Sequence, residues 1–277
     1  AGLLKVRGDV AGAIELFEAA VDMGRRSGRR STARQALLNL ANTDLYLGRL
    51  SRAQSSIEAL REQSAQLPTV MLAQLLGLEA ELFARQVRHA EAVERFTACA
   101  EAYEALGRGI DAAEARLEGL LAASRTPHPN AVDLRRGLAQ ATALLAEAPA
   151  HRPLLLLAEA RVASLSGDEL RARERLDASL EAARGSQQRE WVWRALEARA
   201  ELEEAGGQPL LARRDREEAL AVLEAIGARL PRDLREVYWN EPRRKSLRGS
   251  VTGAVGHAAT EFMPFAPLSA LPVSGHG

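Results

Sequence analysis

One spacing constrains this chain more than anything else in it: small residues return about every forty positions. Ala13, Ala53, Ala92, Ala131, Ala172 and Ala212 are separated by 40, 39, 39, 41 and 40 residues. Twelve residues before each stands another small residue, at Ala1, Ala41, Ala80, Gly119, Ala160 and Ala200. A repeat on this scale is the mark of a stacked array, in which each unit buries its apolar face against the next. The larger residues keep the same phase. Phe17, Ile57, Phe96 and Leu176 follow the first column by four, with Arg135 and Arg216 as exceptions, and Leu37, Leu76, Leu156 and Leu196 precede the second by four. Small positions let two backbones approach, and the large ones fill the space around them.

Between the columns Gly8, Gly48, Gly167 and Gly207 hold one phase, where a helix end needs a left-handed residue. Asp9 and Asp168 follow directly, placed to cap the next helix. In the fourth unit the turn reads Thr126-Pro127-His128-Pro129-Asn130, in which proline stops one helix and Asn130 caps the next. Each unit is therefore helix, tight turn, helix, with helices of about 16 to 18 residues, or ~25 Å at 1.5 Å per residue. Composition agrees. Ala, Leu, Arg and Glu dominate a chain that is 47% hydrophobic with 4% aromatic residues, a mixture that favours helix over strand. The fold class is all-α.

Small residue, Gly-Asp turn, Ala13, Phe17 and Ala20 in the first unit resemble the tetratricopeptide-repeat consensus, and the resemblance runs over roughly residues 1 to 228. It implies a right-handed α-solenoid whose first helices line a concave groove. The repeats depart from the family in having a period near 40 instead of 34, few of its first-helix aromatics, and no glycine turn in unit four. In this they resemble the long repeats of bacterial multidomain signalling proteins, where such arrays lie beside Ser/Thr kinase, sensor or transcription-activator modules. HEAT-like or other helical-hairpin repeats are the structural alternative. Ala1 matches the eighth position of a first helix, so the first of about five and a half hairpins is truncated and an upstream sequence is expected.

The organisation expected is a repeat array over 1–230, a closing helix over 231–248 and a flexible tail or linker over 249–277. Leu234, Val237 and Tyr238 stand at helical spacing and suit a cap over the last hairpin, and this segment is similar to one that follows repeat tracts in some kinase and activator proteins. Beyond Gly249 charge nearly vanishes and Gly, Ala, Ser, Pro and Val take over, with an apolar island at Glu261-Phe262-Met263-Pro264-Phe265 that suits a docking peptide or a fold-back. Arg243, Arg244, Lys245 and Arg248 form the one basic cluster, read either as a solvated helix end or as a patch for an acidic partner.

Several function classes are set aside. The 37 basic and 37 acidic residues balance and intermix, whereas nucleic-acid binders show a basic excess or stripe. Cys99 is the single cysteine, which rules out an internal disulfide; it falls in a small-residue column and reads as a buried thiol. The histidines, at 89, 128, 151, 257 and 276, never stand four apart as a helical zinc pair would, so no metal and no cofactor are expected. No phosphate loop, nucleophile elbow or kinase signature occurs, and the chain is not read as an enzyme. With no apolar run near the ~18 residues that span a bilayer and no secretory signal, the default location is the cytoplasm. Arg7-Gly8-Asp9 spells an integrin tripeptide, but its phase makes it an ordinary turn. Trp191 and Trp193 lie two apart on one helix, so one enters the core and the other faces outward.

If the family geometry holds, Gln35, Asn39, Asn42, Gln74, Glu81, Arg85, Arg116, Arg161, Arg194, Glu197 and Glu201 face the groove. Asn39 and Asn42 suit hydrogen bonds to an extended peptide backbone, and the arginines suit carboxylates. The family's carboxylate clamp is not reproduced. The functional expectation is a non-catalytic scaffold for a protein or peptide partner, with no nucleic acid, membrane or metal. The rival is the regulatory segment of a Ser/Thr kinase or transcriptional activator that senses a small ligand.

Overall fold

The computed structural model describes residues 10–260, with side chains through residue 252. The described residues form helices and turns without a strand. In chain order the α-helices are α1 (Val10–Arg26), α2 (Arg30–Leu47), α3 (Leu50–Arg61), α4 (Thr69–Arg85), α5 (His89–Ala105), α6 (Gly109–Ala123) and α7 (Ala131–Leu145). They continue as α8 (Arg152–Leu165), α9 (Glu169–Gly185), α10 (Arg189–Ala205), α11 (Pro209–Gly227), α12 (Arg232–Asn240) and α13 (Pro242–Thr260). Neighbours in sequence pack as neighbours in space, pairing α2 with α3, α4 with α5, α6 with α7, α8 with α9 and α10 with α11.

The small columns explain that packing. Ala13, Ala53, Ala92, Ala172 and Ala212 are fully buried, as are Ala41, Ala80 and Ala200, with Ala160 nearly so. At Gly119 a Cβ would stand 3.0 Å from Phe96 Cβ, so a larger residue would push α6 off α5. Unit four departs from the expected column. Helix α7 begins at Ala131 itself, one turn late, which leaves Ala131 half-buried and puts Leu134 in the core position three residues on. Leu138 then takes the place expected for Arg135, which is exposed.

Helix ends follow turn chemistry. Gly48, Gly167 and Gly207 have φ of +79°, +76° and +72°, the left-handed conformation that glycine adopts without steric cost. Val87 occupies the same phase at φ +63° without being glycine. Asn130 accepts from the amides of Val132 and Asp133, and Asp168 from that of Arg171, so both act as the caps expected. Ala1, Gly8 and Asp9 lie outside the described residues.

The turns between hairpins alternate. Those entering α2, α6 and α10 are tight, with Gly28, Gly107 and Gln187 at positive φ. Those entering α4 and α8 are longer and carry 3₁₀ turns at Ser64–Gln66 and Pro149–His151. Helices before a tight turn pack more closely against the next helix than α3 and α7, which meet their successors sparingly. Across hairpins α2 packs on α4, α6 on α8 and α8 on α10, but α4 and α6 barely meet.

The C-terminal segment corrects two expectations. The closing helix over 231–248 is two helices, broken at Glu241, whose backbone is extended before Pro242, as a residue preceding proline prefers. The Glu241 carboxylate accepts from the Arg244 amide 3.0 Å away and caps α13. Residues 249–260, expected in a loose tail, continue α13 as helix; the apolar island at 261–265 lies outside the described residues. Arg243 and Arg244 are not a solvated helix end either. Arg244 is completely buried, donating from Nη2 to the Tyr46 carbonyl at 2.8 Å and from Nη1 to the Tyr238 carbonyl at 3.3 Å, with its guanidinium 3.8 Å from the Tyr238 ring centre. One apolar cluster joins Phe17, Leu40 and Leu47 near the start of the array with Trp193, Leu223, Tyr238 and Leu247 near its end. The strap α12–α13 therefore bridges the first described helices to the last and closes the stack into a ring. No helix among the described residues is long and apolar enough to cross a membrane.

Candidate functional site

Inside the ring lies a cleft of about 460 Å³. Its walls repeat at helical spacing. Helix α2 contributes Gln35, Asn39, Asn42 and Tyr46; α4 contributes Gln74, Gly77, Glu81 and Arg85; α6 contributes Asp111, Glu114, Ala115 and Glu118; α10 contributes Glu190, Trp191 and Arg194. Steps of three and four residues put the α2 and α4 side chains on one face of each helix. The floor comes from α5, whose Phe96, Cys99 and Tyr103 look into the cleft where α4 and α6 spread apart.

The walls differ in chemistry. The α2 and α4 side is an amide wall of Gln35, Asn39, Asn42 and Gln74, and Gln74 Oε1 is buried with no hydrogen-bond partner. The α6 and α10 side is acidic. Arg194 holds Glu118 with two bonds of 2.9 and 3.0 Å, its guanidinium lying 4.3 Å from the Trp191 ring centre. Asp111 takes both bonds of Arg108. Glu114 stands 3.4 Å from His151, and burial pushes its pKa up. Glu190 accepts from the Trp193 indole N–H at 2.9 Å. Burial raises its pKa, but Arg244, Arg85 and Arg194 with that indole bond outweigh it, so the carboxylate stays charged.

A buried ionic link ties the cleft to the strap. Arg85 donates from Nε to Glu81 at 2.7 Å and lies 3.8 Å from Glu241 through Nη1. Burial pushes the Glu81 carboxyl up, and Arg85, Arg243 and Arg194 more than reverse this, leaving its pKa lowered to about 2. A Cβ on Gly48 would come within 2.7 Å of Glu241 Cβ, so the strap's closeness to α2 depends on that glycine.

Seven of the eleven residues expected at the groove line this cleft: Gln35, Asn39, Asn42, Gln74, Glu81, Arg85 and Arg194. The other four stand elsewhere. Arg116 pairs with Glu104 at 2.6 Å beside a smaller hollow among α5, α6 and α7. Arg161 pairs with Glu201 in a shallow recess between α8 and α10, and Glu197 lies 3.8 Å from Arg125. Sequence phase missed the floor residues, since second helices are not expected on the inner side, and it missed the acids of α6. Of the tryptophans, Trp193 is fully buried and Trp191 faces the cleft.

Cys99 donates to the Ala73 carbonyl at 3.3 Å, and burial, aided by Glu114 and Asp111, pushes its pKa up to about 12. A thiol so protonated is a poor nucleophile. Among the described residues no group of three His, Cys, Asp or Glu side chains is placed to hold a metal ion.

No family model matches the chain, and no curated protein matches it. Among solved structures, BtubC (BKLC) from P. vanneervenii aligns over 97% of this chain and 99% of its own, at 12% identity and a TM-score of 0.35. A superposition that loose carries no argument about fold or function.

Proposed function

We propose that the chain is a right-handed solenoid of tetratricopeptide-type hairpins that binds an extended segment of a partner protein in its central cleft, as a non-catalytic module of a larger bacterial signalling or regulatory protein in the cytoplasm. The observation that carries this is the amide wall. Gln35, Asn39 and Asn42 present carbonyl acceptors and N–H donors at one-turn intervals along α2, with Gln74 added from α4. An extended backbone offers the matching groups at its own regular spacing. Beside them, the floor residues Phe96, Cys99 and Tyr103 give side chains a surface to bury.

The test is selection from a random peptide library on the full chain, repeated with Asn42→Ala and Gln74→Ala, and with Arg161→Ala as a control outside the cleft. Enriched sequences should be lost with the first two and kept with the third. Identical enrichment with all three, or none with the unsubstituted chain, overturns the reading.

A second reading is favoured by the size of the cleft. At about 460 Å³ it falls in the range of small-molecule pockets, about 300–1,000 Å³, and the strap makes it a bounded space. On that reading the array senses a small ligand. Thermal shifts with a metabolite panel set against peptides separate the two.

A further inference from the structure

Resting on the cleft reading above, we propose that the bound segment is basic, and that an arginine side chain of the partner enters the acidic side of the cleft beside Glu114 and Glu190.

Charge on the lining is one-sided. Five acids, Glu81, Asp111, Glu114, Glu118 and Glu190, face two arginines, Arg85 and Arg194, and both arginines are already engaged, by Glu81 and Glu118. Asp111 is held by Arg108 at the rim. That leaves Glu114, opposed by His151, and Glu190, which is bonded to an indole N–H and also lies in the field of Arg85 and Arg194. From the strap, Arg243 and Arg244 also act on Glu190, but Arg243 bonds Glu241 at 3.1 Å and Arg244 donates to two backbone carbonyls. The carboxylate excess is therefore centred on Glu114, and negative potential there attracts a cation and repels an acidic peptide or a nucleic acid.

The same neighbourhood shows which cation suits it. Three arginines that the chain itself places here pair with a carboxylate or carbonyl while lying over an aromatic ring, Arg194 over Trp191, Arg243 over Trp193 and Arg244 over Tyr238, whereas Arg85 makes ionic contacts with Glu81 and Glu241. A planar guanidinium fits both contacts at once, and a lysine ammonium does not stack in this way. Gln74 Oε1, buried and unpartnered across the cleft, offers an acceptor to the incoming backbone N–H.

The experiment titrates the full chain with three fluorescent octapeptides of alternating alanine and a second residue: arginine, its neutral isostere citrulline, or glutamate. The readouts are anisotropy and the indole N–H resonance of Trp191, assigned with Trp191→Phe. Arginine should bind at least about tenfold more tightly than citrulline, as loss of a charge-assisted pair implies. Its affinity should fall with added salt, and it should shift the Trp191 signal. About half of the Glu114 side chain (51%) remains open to solvent, so Glu114→Gln tests the site without threatening the fold and should weaken the arginine peptide severalfold while leaving citrulline unchanged; Glu114→Gln with Glu190→Gln should remove the preference. Equal binding of arginine and citrulline overturns this proposal and leaves the cleft reading standing. Arginine binding that ignores both glutamates also overturns it. Spermidine binding as tightly as the arginine peptide would overturn the commitment to a peptide, and failure of every peptide would remove the cleft reading itself.

Discussion

Replacing Arg244 with methionine should open the ring. The side chain is fully buried, and methionine keeps much of its length while removing the charge and the donors. It gives up the 2.8 Å bond to the Tyr46 carbonyl, which joins the strap to a helix 198 residues away, the weaker 3.3 Å bond to Tyr238, and the stack on the Tyr238 ring. A hydrogen bond from a charged donor contributes about 1.5–3 kcal/mol, and a desolvated cation–π contact about 2 kcal/mol. Relief of the desolvation of Arg244, whose Nε has no partner, offsets part of this. Removing one member of a buried ionic group costs about 3–5 kcal/mol, and the lower end, about 3 kcal/mol, suits a site with one good bond. For a chain of this size each kcal/mol lowers Tm by about 2–4 °C. Arrays unfold by parts, so the better assay is amide hydrogen exchange by peptide. Protection should fall in residues 232–252 and at the end of α2, while α6 to α9 stay as before. Lys245→Ala, at the exposed neighbouring position, should change neither. A loss below about 0.5 kcal/mol, within the scatter of surface substitutions, or an exchange change spread evenly over the chain, would refute the claim that Arg244 fastens the two ends.

Asp44 is fully buried, with Arg49 at 3.3 Å and Arg52 at 3.8 Å, and burial raises its pKa from 3.8 to about 6 against the pull of Arg52. Because the folded value lies above the unfolded one, the stabilising protonated form is complete below pH 4 and lost as pH rises through 6, so Asp44→Asn should add about 3 kcal/mol to stability at pH 8 and little at pH 4 in urea titrations. Gly48→Ala meets both a φ of +79° and the 2.7 Å approach to Glu241 Cβ; the backbone alone costs about 1–2 kcal/mol, and exchange should rise in the strap as in the Arg244 variant. Val87→Gly, at an exposed β-branched residue with φ +63°, should stabilise by up to about 1 kcal/mol in the same titration. Asp168→Ala removes the cap of α9 and should cost about 1 kcal/mol.

The hairpins were legible because close helix packing admits few residue types. Ala53, Ala92, Ala172 and Ala212 can be found from spacing alone, since anything larger would separate the helices they join. Unit four broke the rule for a local reason: its proline-rich turn delays α7 by three residues, and the core position moves from Ala131 to Leu134. The turn phase likewise hid at Val87 and Gln187, where tertiary packing holds a left-handed backbone that local preference alone would give to glycine. Nothing local distinguishes a buried arginine from a solvated one, so Arg243 and Arg244 read as surface charge. Their surroundings are assembled from Tyr46, Arg85 and Glu190, residues distant in sequence and near only once the array has curved round. Helix α13 was missed because its composition favours a tail, while its start is fixed by the Glu241 cap, Pro242 in the first turn and Leu247 in the core.

The alternation of turns contributes to where the cleft opens. At the turn entering α6, α6 lies fully along α5, and α5 is packed along α4, so α5 stands between α4 and α6; at the tight turn entering α10 the packing of α10 on α9 is less complete and α10 does reach α8. The longer turns have the opposite effect: α3 and α7 withdraw from the helix that follows, and the inner helices on either side, α2 with α4 and α6 with α8, come into direct contact. A uniform stack would seal its inner face. This one leaves a gap one hairpin wide, floored by Phe96, Cys99 and Tyr103, at the point where the amide wall of α2 and α4 faces the acids of α6. The gap thus follows from how fully α5 is packed by both of its neighbours, with turn length as one contributor. Shortening the turn at 62–68 to the tight form should move α4 toward α3 and redistribute the gap, altering ligand binding even though no lining residue has changed.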